Sequence, residues 1–226
     1  MGVAATDRLT NVNNTIEGAG QIGANLMALT NQGTINANQA NALTIDPSAT
    51  GAINTGTMQA SSGGTLRLNT AAYTNTGGTI QALNGSTVEL NGATIQEGTL
   101  TTSGTGVIRN VGTAILDGGS TVLTNSGDFQ QNNGTITTLK NTINNTGSIA
   151  LNNTSIFTNT DLKVSGGNVD LTGGGSVVLG NATANNRIVG AATTDRLTNV
   201  NNTIEGAGQI GANTIALTNQ GTINAN

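Results

Sequence analysis

The sequence predicts an all-β chain wound as a parallel β-helix, a solenoid of about ten coils of roughly 20 residues each. Three observations predict it. Residues 6–38 return almost unchanged as residues 194–226, an offset of 188 residues, with Thr214 standing for Leu26 and Ile215 for Met27. Between the two copies runs a shorter rhythm of roughly 20 residues, and fixed periods of that size mark solenoids. Within each short unit apolar and polar residues alternate with period two, and no segment carries a helical stripe.

The composition agrees. The chain holds 33 Gly and one Pro, 1% aromatic and 8% charged residues, so it is far from an average globular domain. Disordered chains combine low hydrophobicity with high net charge or abundant proline, whereas this chain carries only −4 and regularly placed aliphatics. The seven basic residues (Arg8, Arg67, Arg109, Lys140, Lys163, Arg187, Arg196) are scattered singly. Nucleic acid is therefore not an expected partner, because phosphate binding needs clustered Lys and Arg. No apolar run approaches the roughly 20 residues of a membrane span, so membrane insertion is not expected either. The chain has no cysteine, which excludes a disulfide scaffold. No signal peptide is visible, and Met1-Gly2 ahead of a mid-repeat start reads as an added start.

One motif recurs: an apolar residue, a polar residue, Asn, any residue, Gly, then a polar residue and an aliphatic or aromatic one. It runs Leu29-Thr30-Asn31-Gln32-Gly33-Thr34-Ile35, then around Asn75 and Gly77, Asn125 and Gly127, Asn145 and Gly147, and Asn219 and Gly221, with a degenerate form at Asn110 and Gly112. These Asn and Gly residues are the candidate turn and ladder positions. Asn tolerates left-handed backbone and its amide can bond the Asn above and below, while Gly suits a strained turn. Eight to ten residues after the aliphatic comes a second apolar pair: Ile35 leads to Leu43 and Ile45, Met58 to Leu66 and Leu68, Ile80 to Val88 and Leu90, Val169 to Val177 and Leu179. Ile80 and Ala82, Val88 and Leu90, Ile149 and Leu151, and Val169 and Leu171 are inward candidates. Thr44, Arg67, Gln81, Glu89 and Asp170 between such residues face out.

Like units in like order place like strands side by side, which parallel stacking at about 4.8 Å satisfies and hairpins do not. One lead apolar residue per coil (Ile35, Met58, Ile80, Leu100, Ile115, Phe129, Ile149, Val169, Ile188, Ile204, Ile223) gives ten steps across the 188 residues. Ten steps would rise about 50 Å. The expected organisation is a single solenoid segment, residues 1–226, cut from a longer array of 188-residue repeats.

The units around Asn31 and around Asn75-Thr76-Gly77-Gly78-Thr79-Ile80-Gln81-Ala82 resemble the repeats of filamentous haemagglutinin-type adhesins, large secreted bacterial exoproteins. The resemblance spans nearly the whole chain as a rhythm and is loose around residues 92–122 and 180–200. It implies a right-handed β-helix and a structural or adhesive rod at the bacterial surface or outside the cell. Such a rod would mediate attachment or project a distal binding domain. Implied partners are glycans or a host or neighbouring cell surface, and adjacent repeats of the same chain. End-to-end self-association is a further expectation, because open strand edges template more strands. The family's secretion domain with its Asn-Pro motifs has no counterpart here, since Pro47 follows Asp46.

Glycoside hydrolysis needs two carboxylates about 5–10 Å apart, and the best placed are Asp161 with Asp170 and Glu89 with Glu97. Neither has His or clustered Arg and Lys beside it, so both read as solvated coil surface. No catalytic, cofactor or metal residue is assigned and no enzymatic activity is expected. Gly173-Gly174-Gly175 lacks the Asp of a calcium roll, and Gly118-Gly119 precedes no helix that would make it a phosphate loop. Arg67 and Glu89 occupy equivalent outward positions and can pair. Thr34, Thr57, Thr79 and Thr99 would form an outward column, but with Asn36, Gln59 and Gln81 beside it rather than the second Thr of an ice-binding array. Asn-x-Ser/Thr triplets include those at Asn13, Asn84, Asn133, Asn144, Asn152, Asn153 and Asn201, as expected by chance in so Asn- and Thr-rich a chain. The rival readings are a polysaccharide-active β-helix enzyme or phage-type fibre, and a self-assembling extracellular filament subunit.

Overall fold

Thirty short strands wind into three parallel sheets of ten strands each in the computed structural model, which describes residues 2–226. Each sheet takes every third strand. The first sheet runs from Arg8–Asn11 to Gln209–Gly211, the second from Thr15–Gly18 to Ala216–Asn219, and the third from Gly20–Ile22 to Thr222–Asn224. One strand of each sheet makes a coil, so the predicted parallel β-solenoid of about ten turns is what the chain forms. The coils are elastic in length: Leu9 pairs with Leu29 twenty residues on, and Ile143 with Leu171 twenty-eight residues on.

Strand alternation decides what lies inside. In the second sheet Ile35, Met58, Ile80 and Leu100 stack in one inward column. In the third, Leu43, Leu66, Val88, Ile108, Phe129, Ile149, Val177 and Ile204 form another. All of them are buried. Tyr73 is the bulkiest core residue, its hydroxyl turned to the carbonyls of Ile45 and Asn69 at 2.9 and 3.0 Å. Burial holds that phenol well above its ordinary pKa. The predicted inward pairs are all buried, and Thr44, Arg67, Gln81, Glu89 and Asp170 are not.

Two expectations need correction. The lead-residue series follows the second sheet through Leu100 and then leaves it: Ile115 and Ile188 belong to the first sheet, Phe129, Ile149, Ile204 and Ile223 to the third. Ile115 even points outward, between the buried Ala114 and Leu116. The ten coils consequently occupy the whole chain rather than 188 residues. The strand Arg8–Asn11 is the first in order and its copy Arg196–Asn199 the twenty-sixth, so the long offset is eight turns plus one strand. Its rise is about 40 Å at the spacing of adjacent strands, not 50.

Candidate functional site

The polar interior is concentrated in asparagine ladders at the corners. At the corner from first to second sheet, Asn11 donates from Nδ2 to Oδ1 of Asn31 at 2.8 Å, Asn31 to Asn54 at 2.8 Å, and Asn54 to Asn75 at 2.7 Å. All four are buried. At the corner from second to third sheet, Asn125 donates to Asn145 at 2.8 Å, Asn145 to Asn202 at 2.9 Å, and Asn199 to Asn219 at 2.7 Å. Asn110 ends a strand of the third sheet and bonds Thr137 instead. The predicted ladder residues therefore form two stacks, Asn31 with Asn75 and Asn125, Asn145 with Asn219. The motif is indifferent to which corner it serves. Asn54 was missed although Asn54-Thr55-Gly56-Thr57-Met58 carries the pattern; Asn11 and Asn199 were hidden by one extra residue before the next strand.

The reason assigned to these positions changes too. None of the ladder asparagines has positive φ. They are selected for the amide, which satisfies buried partners on both sides. Of the motif glycines only Gly77 has positive φ, at 75°. A Cβ at Gly33 would strike the carbonyl of Asn14, at Gly147 that of Gly127, and at Gly221 that of Asn202, while at Gly127 it would come to 2.6 Å of the Thr102 amide. At these corners the coil beneath passes too close for any side chain.

Glu97 replaces the ladder asparagine one coil beyond Asn75. Its backbone is left-handed, with φ 62°. Its carboxylate accepts from the Thr76 hydroxyl, from the amides of Ser120 and Thr121 at 2.8 and 3.2 Å, and from the Ser120 hydroxyl at 3.1 Å. The Thr76 bond, then the Ser120 amide, hold its pKa down to about 2. The group is a cap for the corner loop above it.

Outside, the three faces differ. On the second sheet Thr15, Thr34, Thr57, Thr79, Thr99 and Thr124 stack in strict register, extending the predicted column at both ends. Beside them Gln81 donates to Gln59 at 2.7 Å. On the third sheet Thr44, Arg67, Glu89, Arg109 and Gln130 form one column, and Arg67 Nη2 meets Glu89 at 2.7 Å as expected. The first sheet carries Asp117 beside Lys140, and Asp161 beside Arg187. Arg187 grips both oxygens of Asp161 at 2.8 Å, which raises the guanidinium pKa further. A shallow depression of about 220 Å³ opens there, lined by Asp161, Lys163, Arg187 and Thr214.

The two carboxylate pairs are not brought together. Asp161 lies on the first sheet and Asp170 on the second; Glu89 lies on the third sheet and Glu97 at the first-to-second corner. Among the described residues no group of three or more His, Cys, Asp or Glu could hold a metal. No helix among the described residues is long and apolar enough to cross a membrane. Of the triplet asparagines, Asn153 is buried with its amide on the Thr158 carbonyl, whereas Asn13, Asn84, Asn133, Asn152 and Asn201 are exposed.

One feature breaks the smooth outline. At the corner from third to first sheet residues 152–159 project as a ridge bearing Ile156 and Phe157, 73% and 90% exposed. The ridge rests on the next corner loop: Asn185 donates to the Ser155 carbonyl at 3.1 Å, and Asn153 to that of Asn185 at 3.3 Å. The sequence pattern did not reveal it, because two adjacent apolar residues fit neither the period-two alternation nor the Asn-x-Gly motif.

Comparison of the chain with protein-family models, with curated proteins and with solved structures returns no match in any of the three.

Proposed function

We propose that this chain is a structural and adhesive rod segment of a bacterial surface or secreted adhesin, projecting a distal binding domain or mediating attachment itself. The observation that carries the reading is the unbroken parallel ladder: each sheet stacks ten strands in register over a dry aliphatic column. A chain so cross-bonded along its axis resists bending and local opening, because no coil can loosen without losing ladder bonds to both neighbours. The resemblance to filamentous haemagglutinin-type repeats supports the same role.

The outer surface supports many weak contacts rather than one deep site. Thr, Asn and Gln line the second face, suited to glycan hydroxyls, and the Ile156–Phe157 ridge offers an apolar edge at a corner. Repetition along a rod converts such contacts into avidity. The reading is non-enzymatic: Glu89 and Asp161 are tied to arginines and Glu97 to a loop cap. The test is a glycan and cell-binding array with bead-coupled chain, beside its Phe157→Ser variant. Binding that falls with the variant supports adhesion; no binding removes it and leaves the stalk. Stretching single molecules tests the stalk, and extension at forces that leave ordinary domains folded would overturn it.

A further inference from the structure

The two copies of the 33-residue sequence are folded alike but seated differently. In the first copy its strands fall on sheets one, two, three, one and two; in the second, on two, three, one, two and three. Pairing inside the copies is the same in both. Arg8–Asn11 pairs with Ala28–Asn31 as Arg196–Asn199 pairs with Ala216–Asn219, and Thr15 and Ile16 pair with Thr34 and Ile35 as Thr203 and Ile204 pair with Thr222 and Ile223. The same sequence thus fits at least two of the three settings the solenoid offers.

The two copies are also covered on opposite sides. The first is covered by the strands Leu43–Ile45, Ala52–Asn54 and Thr57–Ala60. The second is seated on Asn168–Thr172, Ser176–Leu179 and Asn186–Gly190. Its free edge is the same chemical surface that the first copy has covered. Leu217 and Ile223 are 38% and 42% exposed there, while their counterparts Leu29 and Ile35 are buried to 1% or less. The last coil, residues 209–226, carries no charge and no proline to blunt that edge.

We propose that the edge formed by Gln209–Gly211, Ala216–Asn219 and Thr222–Asn224 is a seat for a further 188-residue unit of this same sequence, and that each unit so joined turns the rod's surface by one face. The occupant is specified by the first copy: counterparts of Leu43–Ile45, Ala52–Asn54 and Thr57–Ala60, in the registers those strands already show. A turn of one face follows because the unit is eight coils and one strand. Each unit then advances about 40 Å and carries the Ile156–Phe157 ridge to the next corner, so that on any one side it recurs about every 120 Å. The inference rests on the rod reading only for its use; the joining itself does not depend on adhesion.

The experiment extends the full chain at Asn226 with a second copy of residues 39–226, which continues the repeat without a foreign junction. Thr30 is stacked on Ile53. In the tandem chain, Thr218→Cys paired with Cys at the second-unit counterpart of Ile53 should therefore oxidise to a single intrachain disulfide, since ladder neighbours lie within disulfide reach. The chain has no other cysteine. A pair that stays reduced under oxidising conditions, or a second unit that melts separately, would overturn the proposal. A shorter extension by residues 39–60 alone guards against misfolding of the long one. It should slow hydrogen exchange in Ala216–Asn219 and Thr222–Asn224 at least ten-fold, and unchanged exchange there would also overturn it.

Discussion

Arg8 and Arg196 hold the same place in two near-identical stretches, yet they lie on different faces of the solenoid. Arg8 opens the first strand of the first sheet and Arg196 a strand of the second. Each donates from Nη1 to the threonine one coil ahead, Arg8 to Thr30 at 2.8 Å and Arg196 to Thr218 at 2.9 Å. Local pairing travels with the sequence; the face does not. The first and second sheets host the same strand alike, and the number of strands wound before a segment decides where it sits.

The ladder makes Asn54 a sensitive position. It accepts from Asn31 and donates to Asn75, with no exposed surface. Asn54→Ala leaves two buried amides short of a partner and should cost about 2–6 kcal/mol at about 1–3 kcal/mol per orphaned group. Denaturant unfolding read by circular dichroism checks it, with the exposed Asn13→Ala expected near neutral.

Gln131 is the opposite case. It is buried between Asn110 and Leu151 in the third sheet, and neither its Nε2 nor its Oε1 has a hydrogen-bond partner. Gln131→Leu replaces two unmet polar atoms by apolar ones of similar size, and should raise stability by about 1–3 kcal/mol. An upward shift of the denaturant midpoint with unchanged slope is the expected result.

Glycines at the corners separate two kinds of constraint. Gly147 has ordinary φ, but a Cβ there would strike the Gly127 carbonyl. Gly147→Ala should cost about 1–3 kcal/mol through overpacking. Gly85 has φ 73° with nothing within 4 Å of a Cβ, so Gly85→Ala should cost about 1–2 kcal/mol through backbone strain alone. Gly85→Asn should recover part of that loss, since Asn accepts left-handed backbone, whereas Gly147→Asn should be worse than Ala.

Acid should loosen the Glu97 corner. Its folded pKa, about 2, lies below the ordinary 4.5, so the unfolded chain takes up the proton first as pH falls. The contribution is present in full above about pH 4.5, and is lost progressively as pH falls to about 2. Melting temperature measured over that window should drop for the native chain. Glu97→Gln, which keeps an acceptor without the charge, should lose part of that slope.

The repeat rhythm, the period-two alternation and the Asn-x-Gly motif were enough to read the solenoid, its coil count and its inward aliphatics. Val88, Leu90, Ile149 and Leu151 were legible because a half-buried strand must alternate. Less legible was the corner each motif serves. Asn75 and Asn125 share the Thr-Asn-x-Gly pattern, but one turns the chain from first to second sheet and the other from second to third. The Ile156–Phe157 ridge was invisible for a related reason: an apolar pair carries no mark of whether its coil is wide enough to enclose it.

By itself, then, the order of residues determined that the chain winds in parallel coils around an aliphatic interior, because side-chain alternation and repetition act over a few residues and one coil. Only the tertiary structure decided the phase: which face receives Arg8 and which Arg196, which asparagines share a ladder, and why the motif glycines have no side chain. Those outcomes accumulate from coil lengths between nineteen and twenty-eight residues and from contacts with the coil beneath, so no local stretch contains them.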